Sequence, residues 1–469
     1  MVLSGARDFD FLCIGSGPAG QRAAVQAAKL RKRVAIVECE ADIGGVCVHT
    51  GTIPSKTFRE AVLFLSNGHD AFHVGHMPAR AADRPVVETL YARVGDIIVR
   101  EARVQREQLR RNGVDIIPGT GSFAGPHDVT VRSSQGTRAV SSDKILIATG
   151  TKPARPRALC DNLPCVITSD DILKLTDLPR TMVVIGCGVI GIEYASMFAA
   201  LGVEVTVVDG RTRPLEFLDT EIVDELVHQM RAKDVSFRLG EAVDRIELRD
   251  DDPKLAVVYL ESGKRLVADL VLTSTGRVGA SDALGLDKAG LEADGRGRLA
   301  VDEHFRSAVP HIYAAGDIIG FPSLAATSSE QGRLAACHAF GIEAGPMPSH
   351  FPVGIYAIPE ISMVGRTEQE LTNEKIPYET GVARYREIAR GQILGDDSGF
   401  LKLIFHAENR KLLGVHAIGT GATELIHVGQ SVIALGGGLD YFMTTVFNYP
   451  TLAECYKVAA LDAYNRLTV

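Results

Sequence analysis

Phe9-Asp10-Phe11-Leu12-Cys13-Ile14 is an apolar strand that runs without a break into Gly15-Ser16-Gly17-Pro18-Ala19-Gly20. An Ala-rich helix is expected from Gln21 to Leu30, then a second strand from Val34 to Val37, closed by Glu38. Each piece has a physical job. Gly15 makes the tight turn, Gly17 lets the backbone approach a pyrophosphate, and Gly20 lets the helix pack closely on the strand. The helix N-terminus offers unpaired N–H groups to phosphate oxygens, and Glu38 can accept from ribose hydroxyls. Alone, GxGxxG is a weak signal, because a glycine-rich turn also serves ligand-free α/β domains. The full sequence of strand, turn, helix, strand and acid predicts a dinucleotide site.

The same pattern returns further along the chain. Thr181 to Ile185 is apolar and meets Gly186-Cys187-Gly188-Val189-Ile190-Gly191. A helix from Glu193 to Leu201 and a strand from Val203 to Val208 follow, closed by Asp209. Two such folds in one chain imply two dinucleotides, and electron transfer between them.

Outward from these repeats, a long helix is expected from Glu88 to Arg111, with Asn112-Gly113 as its C-terminal stop. Val129 to Val131 and Lys144 to Ala148 read as strands, the latter closed by Thr149-Gly150. A Pro-rich linker spans Pro153 to Pro164. Apolar runs from Asp269 to Thr273 and from His311 to Ala315 end near Gly276-Arg277 and Gly316-Asp317. After about Ser349 there is no further GxGxxG. Leu401 to Phe405 and Leu412 to Ile418 alternate, a helix-like run covers Ala422 to Leu435, and this part reads as a separate α+β domain.

Composition narrows the function classes. At ~150 residues per domain, 469 residues suggest about three domains. A net charge of −8 gives no general attraction to nucleic acid or anionic lipid. Eight scattered cysteines are too few for a disulfide scaffold at this length, so a reducing cytoplasm fits. Met1 to Phe9 contains no long apolar core of a secretory leader, and Leu425 to Leu439 is interrupted by His427 and Gln430, so no membrane span is expected.

The chain resembles the FAD-dependent pyridine nucleotide–disulfide oxidoreductases over nearly its whole length. The matching pieces are the first glycine turn, Gly44-Gly45-Val46-Cys47, Ile53-Pro54-Ser55-Lys56, Ala148-Thr149-Gly150, Gly186 to Gly191 with Glu193, and Tyr313-Ala314-Ala315-Gly316-Asp317. The resemblance implies an α/β fold with two Rossmann-like dinucleotide-binding domains, one for FAD and one for NAD(P), plus a C-terminal α+β interface domain. The expected division is 1–155 and 276–348 for FAD, 156–275 for NAD(P) and 349–469 for dimerisation. A homo-oligomer, at least a dimer, is implied.

Two departures from that pattern matter. Disulfide-reducing members carry two cysteines with four residues between them before the Pro-Ser-Lys step. Here Cys47 is followed at that spacing by Thr52. A hydroxyl cannot form a disulfide, and one thiol cannot cycle two electrons through a dithiol. Those members also place His directly before Pro near the C-terminus. Here it is Tyr449 before Pro450, with Glu454 kept. A phenol near pKa ~10 is a poor proton shuttle at neutral pH beside an imidazole near ~6.5. The paired loss, with Gly51-Thr52-Ile53-Pro54-Ser55-Lys56, Phe447-Asn448-Tyr449-Pro450-Thr451, Ala357-Ile358-Pro359-Glu360-Ile361-Ser362 and Gly421-Ala422-Thr423-Glu424, resembles the soluble pyridine nucleotide transhydrogenases. That resemblance implies hydride exchange between NADPH and NAD+ through bound FAD. An FAD-dependent NAD(P)H dehydrogenase acting on a quinone is the other enzyme reading, and the glycine motifs do not separate the two.

By resemblance, Lys56 lies near the flavin and pairs with Glu193, which faces the nicotinamide side; the bland readings are a solvated Lys and a first-turn acid favoured by the helix dipole. Cys47 beside the ring is either a packed, inert thiol or, with a lowered pKa, a reactive one, and Thr52 either hydrogen-bonds there or fills the sulfur's space. Gly45, Thr149, Gly150 and Asp317 belong to the expected FAD site, the helix near Ser323 directs its N-terminus at the flavin, and Gly121 lies near the adenine. Gly186, Gly188, Gly191 and Gly276 belong to the nucleotide site. Asp209 suits the ribose hydroxyls of NAD, whereas Arg211 or Arg213 suits the 2′-phosphate of NADP, unless both are merely loop charges. Cys160 and Cys165 share the four-residue spacing but lack the Pro-Ser-Lys step, so they read as unrelated thiols. His69, His73 and His76 have no cysteine ligands beside them, and no metal site is expected. The charged run Arg100 to Arg111 reads as a solvated helix face rather than a nucleic-acid surface.

Overall fold

The computed structural model describes residues 7–70, 84–155 and 163–467. Cys160, His73, His76 and most of the Pro-rich linker lie outside them, as does the side chain of His69.

The first unit opens with β1 (Phe9–Ile14), α1 (Pro18–Lys29), β2 (Val34–Glu38), the short α2 (Gly45–His49), α3 (Thr52–Asp70) and α4 (Arg84–Arg111). Next come β3 (Asp115–Pro118), β4 (Thr120–Gly125), β5 (Asp128–Ser133) and β6 (Gly136–Ile147). β1 lies between β2 and β6, parallel to both, which explains its apolar sequence: a central parallel strand is covered on both faces. β6 serves two partners. Its first half pairs antiparallel with β5, and its second half pairs parallel with β1. Helix α1 starts at Pro18, three residues before the sequence expectation. The last glycine of the turn lies inside the helix, and Pro18 supplies a preset first turn. Helix α4 likewise starts before the expected Glu88.

β7 (Thr151–Pro153) carries the chain out of this unit. The second unit contains β8 (Val166–Thr168), β9 (Thr181–Ile185), α5 (Val189–Ala200), β10 (Glu204–Asp209), α6 (Thr220–Ala232) and β11 (Ser236–Leu239). An antiparallel sheet of β12 (Val243–Arg249), β13 (Asp252–Leu260) and β14 (Arg265–Ala268) follows, then β15 (Leu270–Thr273). The parallel sheet has the order β11-β10-β9-β15-β8. β16 (Arg277–Gly279) brings the chain back antiparallel to β7. The first sheet is then completed by β17 (Ile312–Ala314), parallel to β6, and α7 (Ala325–Ala339) packs on α1, where a Cβ at Gly332 would sit 2.0 Å from the Ala19 carbonyl oxygen.

The third unit has β18 (Val353–Ile355), β19 (Ile361–Gly365), α8 (Glu368–Asn373), β20 (Tyr378–Arg384), α9 (Ala389–Leu394), β21 (Phe400–His406) and β22 (Leu412–Ile418). It ends with α10 (Ala422–Ala434), α11 (Leu439–Thr444) and α12 (Glu454–Leu467). Its five strands form one antiparallel sheet, β18-β19-β22-β21-β20. A continuous apolar cluster runs from Phe58 and Val62 of α3 through Phe198 of α5 to Ile355 and Phe400. Burying that surface joins all three units, so their junction is a packed interior. Among the described residues, no helix is long and apolar enough to cross a membrane.

Candidate active site

Two crevices form where parallel strands end, the place such sheets hold ligands. In the first, β1, β2, β6 and β17 lead into Gly15, Glu38, Thr149-Gly150 and Gly316-Asp317. Gly15 has φ +104°, and a Cβ there would meet the Ala148 carbonyl oxygen at 2.3 Å. A Cβ on Gly20 would lie 1.9 Å from the Gly15 carbonyl oxygen. Neither position admits a side chain. Gly17, in contrast, faces open space. Glu38 is buried, and its Oε2 accepts from the Ser16 backbone N–H at 2.9 Å and from the Ser16 hydroxyl. That hydroxyl accepts in turn from the Gly44 N–H at 2.9 Å, tying in the turn that carries Gly45.

The second crevice repeats this construction. Gly186 has φ +106°, and its Cβ would meet the Ser274 carbonyl oxygen at 2.6 Å; Gly191's would meet the Gly186 carbonyl oxygen at 2.0 Å; Gly188 faces open space. Asp209 Oδ2 accepts from the Cys187 N–H at 2.7 Å, as Glu38 does from Ser16. One difference stands out. Arg211 lies across Asp209, with NH2 to Oδ2 at 2.7 Å and Nε to Oδ1 at 3.0 Å. Burial works against the Asp209 carboxylate, but Arg211 and the N–H donors outweigh it and hold its pKa well below the usual range. Arg213 turns elsewhere, to the Thr220 hydroxyl at 2.9 Å and to Asp224 at 2.9 Å. Gly276, at φ +120°, has open space at its Cβ position, and its carbonyl accepts from the Ala154 N–H. Because a Cβ at Gly191 would meet the Gly186 carbonyl oxygen at 2.0 Å, Gly191→Ala should cost about 1–3 kcal/mol of stability, as overpacking a tight contact does; denaturant unfolding checks this.

Between the crevices, Lys56 of α3 meets Glu193 of α5. Lys56 Nζ lies 2.9 and 2.8 Å from the two carboxylate oxygens. The Glu193 side chain is 4% exposed and that of Lys56 is 25% exposed. Helix α5 starts at Val189, so Glu193 sits in the second turn and is buried, not an exposed first-turn acid. A third wall was not legible in the sequence. Tyr356, after β18, donates its backbone N–H to Glu193 Oε1 at 2.8 Å, and its ring lies 4.9 Å from Lys56 Nζ. Ser196 links the same parts, donating to the Glu193 carbonyl and accepting from the Ile358 N–H. The buried Arg59 holds Ala357 through its carbonyl and Glu360 at 3.1 Å.

Cys47 lies in α2 beside Thr52, the first residue of α3. Burial pushes its thiol pKa up, against an opposing hydrogen bond from the Thr52 hydroxyl. This is a packed thiol and not an activated one. Asp317 is likewise pushed up by burial, with Arg277 opposing; Thr151 and Ser328 donate to it at 3.5 and 3.3 Å. Helix α7 begins at Ala325, slightly beyond the expected Ser323. Gly121, on β4, lies against the ends of β1 and β2, where its Cβ would be 3.3 Å from Ile14 and Val37. Two observations fit the first crevice to a bound dinucleotide: the buried Thr149 hydroxyl has no hydrogen-bond partner among the described residues, and open space lies above Gly17. Tyr449 is exposed, while Oε2 of Glu454 is buried without a partner among the described residues.

Residues 9–332 match the family described as pyridine nucleotide-disulphide oxidoreductase, and residues 351–460 match its dimerisation domain. The soluble pyridine nucleotide transhydrogenase of Mycobacterium bovis (strain BCG / Pasteur 1173P2) is 52% identical over 465 residues, covering 98% of both chains. That of Marinomonas sp. (strain MWYL1) is 42% identical over 467 residues, covering 98% of this chain and 99% of the relative. Among solved structures, the HOCl-induced flavoprotein disulfide reductase RclA from Escherichia coli superposes with a TM-score of 0.87 at 25% identity, covering 96% of this chain and 99% of its own. LpdA from Mycobacterium tuberculosis superposes equally well, with a TM-score of 0.87 at 26% identity and the same coverage.

Proposed function

The chain belongs to the soluble pyridine nucleotide transhydrogenases, within the pyridine nucleotide-disulphide oxidoreductase family, and from that premise we propose that it moves hydride between NADPH and NAD+ through bound FAD. The observation that carries this reading is the hydroxyl of Thr52, where a dithiol would need sulfur, next to a thiol that burial keeps protonated. Electrons entering from one nucleotide then have no disulfide at the Cys47–Thr52 position to reach and leave through another nucleotide.

When bound, FAD supplies a two-electron carrier that takes hydride from one nicotinamide and gives it to the next. In this proposal, the FAD unit is 1–155 with 276–348. Gly17 leaves room for its pyrophosphate, with Gly15, Gly20 and Gly45 shaping the turns around it; Glu38 meets its adenosine ribose, and Gly121 borders the adenine. Thr149, Gly150 and Asp317 hold the flavin end, with Cys47 and Thr52 packed beside it. The NAD(P) unit is 156–275, where Gly188 leaves room for the pyrophosphate of each nucleotide in turn, Gly186 and Gly191 shape the turn, and Asp209 with Arg211 meets the ribose; Gly276 borders this site from the return crossing. Lys56 holds a positive charge at the contact between the crevices, and Glu193 fixes that ammonium while facing the nicotinamide. Tyr356 fixes Glu193. Residues 349–469 mediate assembly into at least a dimer, consistent with the exposed Leu435 and Val446.

Anaerobic titration tests the reading. NADPH should bleach the flavin band with two electrons per flavin, and NAD+ should restore it. NADPH-dependent reduction of thio-NAD+ should proceed without added quinone. Fast quinone turnover with negligible nucleotide exchange would favour the dehydrogenase reading instead.

A further inference from the structure

A buried ion cluster lies away from both crevices, at the junction of the second and third units. Lys402, on β21, has a side chain only 1% exposed. Its Nζ lies 2.9 Å from Asp219 Oδ1 and 3.0 Å from Glu221 Oε2, and it also bonds the Glu368 carboxylate. Asp219 is fully buried and caps the N-terminus of α6, accepting from the Glu221 N–H at 3.2 Å. Its other oxygen accepts from the Glu368 N–H at 3.4 Å. The three carboxylates present oxygens within 4.8 Å of one another, so the ammonium is the counter-charge that lets them converge. His416, the cross-strand neighbour of Lys402, is buried and gives one ring nitrogen to the Arg366 carbonyl.

This cluster fixes the end of the segment that leaves β10. Residues 210–218 carry Arg211 and Arg213 and end at Asp219. Arg213 grips the first turn of α6 through the Thr220 hydroxyl and carbonyl. Leu215 is buried at φ +48°, a conformation that persists in a branched residue only where its surroundings enforce it. Its N–H reaches the Cys187 carbonyl of the glycine turn. Thus the segment is pinned at the glycine turn and at the cap of α6, and the second pin is held from a different unit.

We propose that Lys402 is a positioning residue for pyridine nucleotide binding: by neutralising the cap of α6 from the third unit, it holds the 210–218 segment in the shape that meets the ribose end of NADP(H) and NAD(H). The inference rests on the proposed placement of nucleotide at Asp209 and Arg211. Lys402 touches no substrate; it acts through Asp219.

The test uses flavin-loaded enzyme carrying Lys402→Met and, because unpaired buried carboxylates threaten folding, a triple variant with Lys402→Met, Asp219→Asn and Glu368→Gln, which leaves only the half-exposed Glu221 charged. Asn retains the helix-capping ability of Asp. Either variant should raise the KM for NADPH and NAD+ about tenfold with kcat within about twofold, the pattern of lost binding rather than lost chemistry. Lys402→Arg should recover most of the loss. Amide exchange across 211–218 should rise. An unchanged KM and unchanged exchange in the triple variant would overturn the proposal. If exchange rises but neither these variants nor Arg211→Ala alters either KM, the tether stands and the nucleotide placement falls.

Discussion

Lys56→Met should slow the bleaching of the flavin band by NADPH about 100- to 1,000-fold, the loss expected when one fixed electrostatic partner is removed from a catalytic site. The ammonium is held by two contacts under 3 Å to a carboxylate that is itself pinned by the Tyr356 N–H, so its charge is aimed before any substrate arrives. Stability changes too. Glu193 is left buried with a single donor, at a cost on the order of 2 kcal/mol, since Lys56 is partly exposed and the pair is screened on that side. The double variant Lys56→Met with Glu193→Gln separates the effects. It removes the orphaned charge, so the melting temperature should recover while the rate does not. Stopped-flow absorbance and thermal melting of the same preparations decide it. A folded Lys56→Met enzyme that bleaches at the native rate would confine the pair to a structural role.

Arg211→Ala should lower kcat/KM for NADPH about 10- to 100-fold while leaving NADH equal or better. Arg211 covers Asp209, a carboxylate that otherwise repels a 2′-phosphate. For NADPH the guanidinium must turn to the phosphate; for NADH the carboxylate can accept from the ribose as it stands. Removing the guanidinium leaves Asp209 bare, which opposes one nucleotide and favours the other. Asp209→Asn should shift the ratio in the opposite direction. Paired kinetics with NADPH and NADH give the answer, and equal losses for both would show that Arg211 does not select between them. Among the described residues no arginine covers Glu38 in this way, consistent with an adenosine ribose that carries no phosphate.

Much of this site was legible in the chain because it is built from local sequence. Gly15 and Gly20, like Gly186 and Gly191, are dictated by contacts within a few residues and by one neighbouring strand. β1 announced itself through burial on both faces. The first half of β6 did not: Gly136-Thr137-Arg138-Ala139 is exposed, and its pairing with β5 is read from backbone alone. Helix starts fell a few residues late because the final glycine of each turn already belongs to the helix. Tyr356 was missed for a different reason. It meets Glu193 through a backbone N–H across 163 residues, a contact to which no side-chain type contributes a signal.

The strand pairing of β6 also orders the protein's biosynthesis. Ile145 waits for Ile312, and the two chain crossings β7 and β16 close on each other only after the intervening residues have been made. The inserted sheet comes from one uninterrupted stretch, β8 to β15, and needs nothing downstream of β15 to pair its strands. On the ribosome it can mature while the earlier sheet still exposes an open edge at β6, so the inserted unit can close before the N-terminal sheet that precedes it in the chain, which waits for β17.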